Sequence, residues 1–269
     1  MFLADDEWRS CMAHCEKEKE ALASYHRARR ESPLNAMYYD RWVARLVAEI
    51  PGDSGGTMLE LMCGEGEVCR RLPGRFTAAL AMDLDVQMVQ VAAGDLRQAG
   101  EKRVTVVCGN AARIPLADSS VNAVVVQGGF HHAKPILGQI LTEVQRVLKP
   151  SGVLVGSEPA NDHFITRAIR HWQYHRSSMI GKDLEEDGFT KSELAAAMAQ
   201  ADLRLDRYRQ FGFVAYPLLG NTDLLPWLAH SRSFNLAKAL LGIDWLLEHT
   251  PFIRGMAWAS IFRAFKEGA

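Results

Sequence analysis

The chain lacks a long uncharged apolar run: its hydrophobic stretches are broken by Asp, Gly or Pro well short of the ~20 residues that a membrane-crossing helix needs. No stable membrane insertion is therefore expected. It also lacks a charge of one sign, with 31 Lys plus Arg against 32 Asp plus Glu, so no global field gathers nucleic acid or an anionic surface. Any charged ligand has to be met by local residues, and a small molecule is the expected partner. Paired Cys-x-x-Cys spacing is missing as well. The five cysteines, Cys11, Cys15, Cys63, Cys69 and Cys108, suit a reducing compartment better than a disulfide scaffold. Cys11 and Cys15 would share a helix face, but structural zinc takes four ligands and no second cluster follows, so no metal is expected. The opening MFLADDEWRS is acidic where a secretory leader is basic, which points to a cytoplasmic protein. No internal repeat or low-complexity tract is present.

What remains is a chain of 269 residues, 48% hydrophobic and 23% charged, enough for one large or two small globular domains. Residues 5–50 are rich in helix formers, with Pro33 dividing them into two helices; the second, NAMYYDRWVARLVAEI, has apolar residues at helical spacing. PGDSGG at 51–56 reads as a linker, giving an N-terminal helical cap over 1–56 and a main domain over 57–269. Short apolar runs then alternate with amphipathic segments. TMLELM (57–62), TAALAMDL (77–84), RVTVVCG (103–109), VNAVVVQ (121–127) and GVLVGSE (152–158) are strands buried on both faces, with helical segments at 66–73, 86–99 and 136–148. Such alternation predicts an α/β fold with a parallel sheet and right-handed crossovers. Two further strands, at 203–216 and 256–266, flank a helical insertion at about 218–254, longer than ordinary loops.

The stretch TMLELMCGEGEVCRRL, residues 57–72, sits where an open parallel sheet receives its ligand, at the carboxyl end of the first strand. Gly64 and Gly66 begin a G-x-G-x-x-G fingerprint, but Cys69 stands at the third glycine. Glu60, Glu65 and Glu67 oppose a phosphate by like charge. A ligand without phosphate and with net positive charge suits the loop better, and S-adenosylmethionine, with its sulfonium, ammonium and single carboxylate, is such a ligand. Glu65 and Glu67 equally suit the first turn of a helix, where they complement its dipole.

Taken in order, LELMCGEGE, AMDLDVQMV, CGNAARIPLADSSVNAVVVQGGFHH and EVQRVLKPSGVLVGSEP resemble the successive motifs of the class I S-adenosylmethionine-dependent methyltransferases. The branch they resemble includes small-molecule enzymes of quinone biosynthesis and natural products, and the likeness covers about residues 57–160. It implies a Rossmann-like, doubly wound seven-stranded sheet of order 3-2-1-4-5-7-6 with the last strand antiparallel. It also implies S-adenosylmethionine as methyl donor and S-adenosylhomocysteine as product. By the same resemblance Glu60 steers the methionine ammonium through the loop or a bound water, and Gly64 and Gly66 form the turn against the ligand. Asp83 takes both ribose hydroxyls, as two acceptor oxygens allow. Leu84 and Met88 pack on adenine, Asn110 and Ala111 meet its edge, and Gln127 offers its carbonyl to the ammonium. Asn110 departs from the usual aspartate, and Glu67 from a frequent glycine, which would narrow the methionine end of the pocket. Asp83 lies about 20 positions beyond Gly64, as a dinucleotide site also requires; the Glu60 position, the missing glycine and the GNA and RVLKPSG blocks separate the two.

Methyl transfer is an in-line displacement at an activated carbon, so the protein aligns the reactants and removes a proton where needed. GGFHH at 128–132 follows the fourth strand, and His131 or His132 is the expected base for an alcohol or phenol, with Glu158 or Asp162 orienting it. Packing at a helix start is the other reading of these histidines. HFITRAIRHWQYHR at 163–176, with Arg167, Arg170, Arg176, Trp172 and Tyr174, reads as a solvated helix before it reads as a clamp for an anionic or aromatic acceptor. The insertion, with Leu224, Leu225, Trp227, Leu240, Leu241, Trp245 and Leu246, either closes over the site or makes a homodimer face. Tyr39 on the NAMYYDRW helix covers the cofactor from the other side. The expectation is an O-methyltransferase of a small, quinone-like, natural-product or lipid-like acceptor. A binding module without catalysis, or a cofactor-dependent enzyme of other chemistry, are the rivals.

Overall fold

Seven strands, β1 (Thr57–Leu61), β2 (Ala78–Asp83), β3 (Val104–Cys108), β4 (Val121–Gln127), β5 (Leu148–Pro159), β6 (Leu203–Phe211) and β7 (Ala259–Lys266), form one sheet in a computed structural model of the chain. Their order is β3-β2-β1-β4-β5-β7-β6. β1 to β5 pair in parallel, and β7 runs antiparallel between β5 and β6. This is the expected Rossmann-like arrangement. The structure describes residues 31–52, 56–71, 74, 76–176, 188–220, 233–251 and 253–267, with the backbone alone at 171–176 and 254. The expected first N-terminal helix, Cys11, Cys15, Leu224, Leu225, Trp227 and the side chains of Trp172, Tyr174 and Arg176 lie outside these. Among the described residues no helix is long and apolar enough to cross a membrane.

Among the described residues six helices accompany the sheet: α1 (Pro33–Ala48), α2 (Val86–Gln98), α3 (Leu137–Val147), α4 (Phe164–Arg176), α5 (Lys191–Ala199) and α6 (Phe234–Glu248). α1 begins where the sequence dictates. Pro33 occupies the first turn, where a missing N–H costs nothing, and the Ser32 hydroxyl accepts the Asn35 N–H at 3.2 Å. Leu34, Tyr38, Trp42, Val43 and Leu46 then pack with Met58, Ala123, Val125, Val153 and Val155 on one sheet face, joined by Leu240 and Leu241 of α6. On the other face Ile140, Leu141 and Val144 of α3, and Leu194 and Met198 of α5, cover Leu59, Val124, Val126, Leu154 and Phe262. The period-2 alternation of each strand thus divides its side chains between two cores.

Four boundaries differ from the sequence expectation; one is that of β7, which begins at Ala259 rather than 256, after a 3-10 turn at Arg254–Met256. Residues 66–73 do not form a regular α-helix: turns run from Gly64 to Val68, followed by a 3-10 turn at Cys69–Arg71. The Glu60 carboxylate draws in the Val68 and Cys69 N–H groups there, and the proline at position 73, two residues past Arg71, opposes continuation. β6 stops at Phe211 rather than at Tyr216. Gly212 turns to φ +79, and Asp244 takes the N–H groups of Val214 and Ala215. β5 in turn extends back to Leu148, which pairs with Val121 across a register shift. Within the expected insertion, α6 follows a π-helical turn, Tyr216–Gly220, whose carbonyls at Leu219 and Gly220 accept from the Asn35 amide.

Candidate active site

The loop after β1 is closed from within. Glu60, 1% exposed, accepts the Val68 N–H at 3.0 Å and the Cys69 N–H at 2.6 Å. Burial pushes its pKa up to about 7, against the two backbone hydrogen bonds that favour the ionised form. Gly64 and Gly66 have φ of +51 and +74, which only glycine adopts freely. Gly64 donates to Asp83 Oδ2 at 2.7 Å, and Gly66 to the Cys63 carbonyl at 2.8 Å. Glu67 is engaged within the loop. It forms ion pairs with both Arg70 and Arg71, which also hold Asp95 of α2 (2.8 Å) and Asp40 of α1 (2.5 Å). These arginines, three and four residues on, were missed in the sequence, although that spacing is the signal for such pairs on a helical turn.

Asp83 closes β2 half-buried. Besides Gly64 it accepts the Asp85 N–H at 2.9 Å, which leaves lone pairs on both oxygens for a diol. Leu84 follows it, exposed, and Met88 lies half-buried on the first turn of α2. Across the β2–β3 pairing, Gly109 donates to the Asp83 carbonyl at 2.8 Å and Asn110 Oδ1 accepts the Ala112 N–H at 2.9 Å. That turn presents Asn110 and Ala111 beside the Asp83 end of the sheet. Glu60, Gly64, Gly66, Asp83, Asn110 and Ala111 therefore gather at the carboxyl ends of β1, β2 and β3.

The second half of the site lies at the carboxyl ends of β4 and β5. Gln127 ends β4 with both amide atoms buried and without a hydrogen-bond partner among the described residues. Ser157 is its register partner on β5. One residue on, Glu158 points to the opposite face, where Oε1 accepts from Gly129 N (3.0 Å) and Phe130 N (2.7 Å). Its Oε2 accepts from His131 N (3.3 Å) and meets His131 Nδ1 at 2.7 Å. Gly129 allows this turn to approach the end of β1, since a Cβ there would lie 2.8 Å from that of Met62. His132 is exposed, with its ring 3.9 Å from that of His131. Glu158 is thus the carboxylate in contact with His131, and Asp162 is held elsewhere. Past Pro159 the chain has left the strand, and Asp162 accepts instead from Tyr208 Oη (2.5 Å), Gln210 Nε2 (2.6 Å) and Lys191 N (2.9 Å).

α1 approaches the same edge. Trp42 Nε1 donates to Ser157 Oγ at 2.9 Å, a contact between residues far apart in sequence that no local pattern announces. Tyr39 is buried beside it, with ring centroids 5.3 Å apart. Arg170, read from the sequence as part of a solvated helix, is 5% exposed and holds the carbonyls of Ala160 and Trp258. Its guanidinium is engaged by groups of the chain itself, Asn161 Oδ1 among them at 2.6 Å.

A phosphate loop works by presenting free N–H groups. Here those of Gly64, Gly66, Val68 and Cys69 already have protein acceptors, so a pyrophosphate would find no such row. The orphaned Gln127 amide offers both a donor and an acceptor, which fits a ligand ending in an ammonium and a carboxylate. With Asp83 placed for a diol, the residues present fit S-adenosylmethionine. Residues 59–156 match the family described as "Methyltransferase domain", the stretch whose motifs resemble those of the class I S-adenosylmethionine-dependent methyltransferases.

Among curated relatives, the demethylmenaquinone methyltransferase of Thermobifida fusca is 32% identical over 114 residues, 42% of this chain and 48% of that protein. That of Anoxybacillus flavithermus is 26% identical over 200 residues, 71% of this chain and 84% of that protein. The chain spans about half the length of most of the curated relatives it matches. Among solved structures, the 4+2 cyclase SpnF superposes with a TM-score of 0.62 at 18% identity, over 86% of this chain and 81% of that one. That likeness shows the fold alone.

Proposed function

We propose that this protein transfers the methyl group of S-adenosylmethionine to an oxygen of a small-molecule acceptor, with His131 as proton acceptor and Glu158 as the group that orients it. The observation that carries the reading is the 2.7 Å contact between His131 Nδ1 and Glu158 Oε2. A carboxylate only accepts, so Nδ1 carries the hydrogen and Nε2 keeps its lone pair. Glu158 also stabilises the imidazolium that forms when Nε2 takes a proton, as a buried acid does in other His-centred sites. When bound, the cofactor supplies a sulfonium-activated methyl carbon for in-line displacement. Asp83 would hold the ribose, Gln127 the amino-acid end, and Tyr39 would cover it from α1.

The name shared by the relatives from Thermobifida fusca and Anoxybacillus flavithermus supports a quinol-like acceptor, whose ring hydroxyl carries the proton His131 would remove. The same deprotonation would also activate an adjacent ring carbon, and product NMR separates O- from C-methylation. The test is transfer of radiolabelled methyl to a panel of phenols and hydroquinones. His131→Ala should lower kcat by about 10²–10⁴-fold with S-adenosylhomocysteine affinity retained, whereas His132→Ala should cost less than about tenfold. Equal rates in wild type and His131→Ala would remove the base assignment. Tight cofactor binding with no transfer across the panel would favour a binding module or other chemistry.

A further inference from the structure

Among the described residues four that are not glycine take a positive φ: Met62, Ser119, Ser151 and Asp202. The last three are short, polar and exposed, as residues that visit the left-handed region commonly are. Met62 is long, apolar and half-buried, and it holds φ +55 as the first residue past β1. Its backbone is pinned on both sides. Leu61 pairs with Met82 in the sheet, Cys63 donates to the Met82 carbonyl at 3.0 Å, and Gly64 donates to Asp83. Glycine would adopt this conformation freely, so the strained side chain points to a use outside the loop's own shape.

Met62 packs on the turn that carries His131. Gly129 has φ −108 and ψ −39, angles open to any residue, yet a Cβ there would stand 2.8 Å from Met62 Cβ, 3.1 Å from Val126 Cγ1 and 3.2 Å from Met62 Sδ. Position 129 is therefore glycine because Met62 already fills its side-chain space. Gly128, just before it, has φ +66. Two successive glycines make a permissive backbone, and His131 follows two residues later. Glu158 grips the N–H groups of Gly129, Phe130 and His131, and Met62 closes the Cα side of Gly129. Met62 also leads directly into the Gly64–Gly66 loop, so one side chain joins that loop to the turn bearing the base.

We propose that Met62 is a positioning residue: packed on Gly129, its side chain locks the Gly128–Gly129 turn and so keeps the His131 ring on Glu158, with Nε2 free for the acceptor. The proposal rests on the methyl-transfer reading above. The test reads the ring itself, by nitrogen NMR of isotope-labelled histidines in protein loaded with S-adenosylhomocysteine, with His131→Ala identifying the His131 signals. Wild type should show one His131 tautomer, protonated at Nδ1. Met62→Ala and Met62→Gly should show both tautomers or exchange-broadened signals, and Met62→Leu, of similar volume, should restore the single form. S-adenosylhomocysteine affinity should change by less than about threefold in all three variants. With an acceptor from the panel above, kcat should fall by about 10–10²-fold in the Ala and Gly variants at an unchanged KM for S-adenosylmethionine. Met62→Gly should melt at or above Met62→Ala, since alanine keeps the strained φ and glycine releases it. A single Nδ1-protonated form in both the Ala and Gly variants would overturn the proposal, as would its absence from Met62→Leu. So would a greater loss of S-adenosylhomocysteine affinity, which would make Met62 part of the cofactor loop alone, or a Gly variant that melts below the Ala variant. A wild type that binds no S-adenosylhomocysteine, or whose His131 is protonated at Nε2, would instead bring down the methyl-transfer reading.

Discussion

Glu60 and Glu158 are the same residue type in nearly the same surroundings, each at the carboxyl end of a parallel strand and each about 1% exposed. Both gather N–H groups from a loop. Glu60 collects two from its own chain a few residues on, and both are backbone. Glu158 collects from the turn after a different strand, and one of its donors is the imidazole of His131. The first arrangement holds a loop in shape. The second does that and also fixes a titratable ring, so the difference in role comes from the donor and not from the carboxylate. They also face opposite sides of the sheet: Glu60 shares the α1 side with Gln127 and Ser157, and Glu158 the α3 side with Phe130.

The comparison is broken most directly at Glu158. Replacing it with Ala strands the Gly129 and Phe130 N–H groups in the interior and should destabilise the fold by about 3 kcal/mol in denaturant unfolding. Turnover should fall by about 10²-fold or more. Glu158→Gln keeps an acceptor oxygen and should recover most of the stability but little of the turnover, because an amide does not balance an imidazolium. If both variants lost stability alone, Glu158 would be no more than a second Glu60.

Glu60 should declare itself through pH. Its folded pKa of about 7 lies above the ordinary 4.5, so the folded protein holds that proton more tightly than the unfolded chain does. The resulting stabilisation is complete below about pH 4.5 and is lost as pH rises through about 7. Thermal unfolding of wild type minus that of Glu60→Gln should decline across this window, by about 3 kcal/mol in all. A flat difference would place the carboxyl in a more solvated setting. The smallest effect is expected at Glu67, whose ion pairs with Arg70 and Arg71 are partly exposed. Glu67→Gln should cost less than about 1 kcal/mol, and less still in 0.5 M salt by the ~4 Å Debye screening there.

Legibility followed the range of the contact. The strands could be read because runs such as Ala123, Val124, Val125 and Val126 are apolar without a break, as burial on both faces demands. The glycines and Asp83 fall at strand ends, where topology puts a ligand. The Glu158 and His131 pairing was one of two readings; the other failed because Asp162 lies beyond Pro159, where the chain has turned toward β6. The supposed helix at 66–73 has suitable periodicity, but Glu60, further back in the chain, decides its shape. Trp42 with Ser157, and the Tyr38 hydroxyl and Gln127 amide that lack partners among the described residues, depend on how α1 lies across the sheet, which no window of sequence contains.

The place of β7 bears on how the chain reaches this state. Among the described residues β6 pairs with β7 alone, and β7 enters between two strands made earlier. During synthesis β6 emerges with no neighbour to bind, and its exposed edge must wait for a segment translated about fifty residues later, a long loop to close on the usual entropic grounds. Removing β7 would release β6 from the sheet altogether, and the interval before β7 arrives is when the nascent chain is most open to pairing with another.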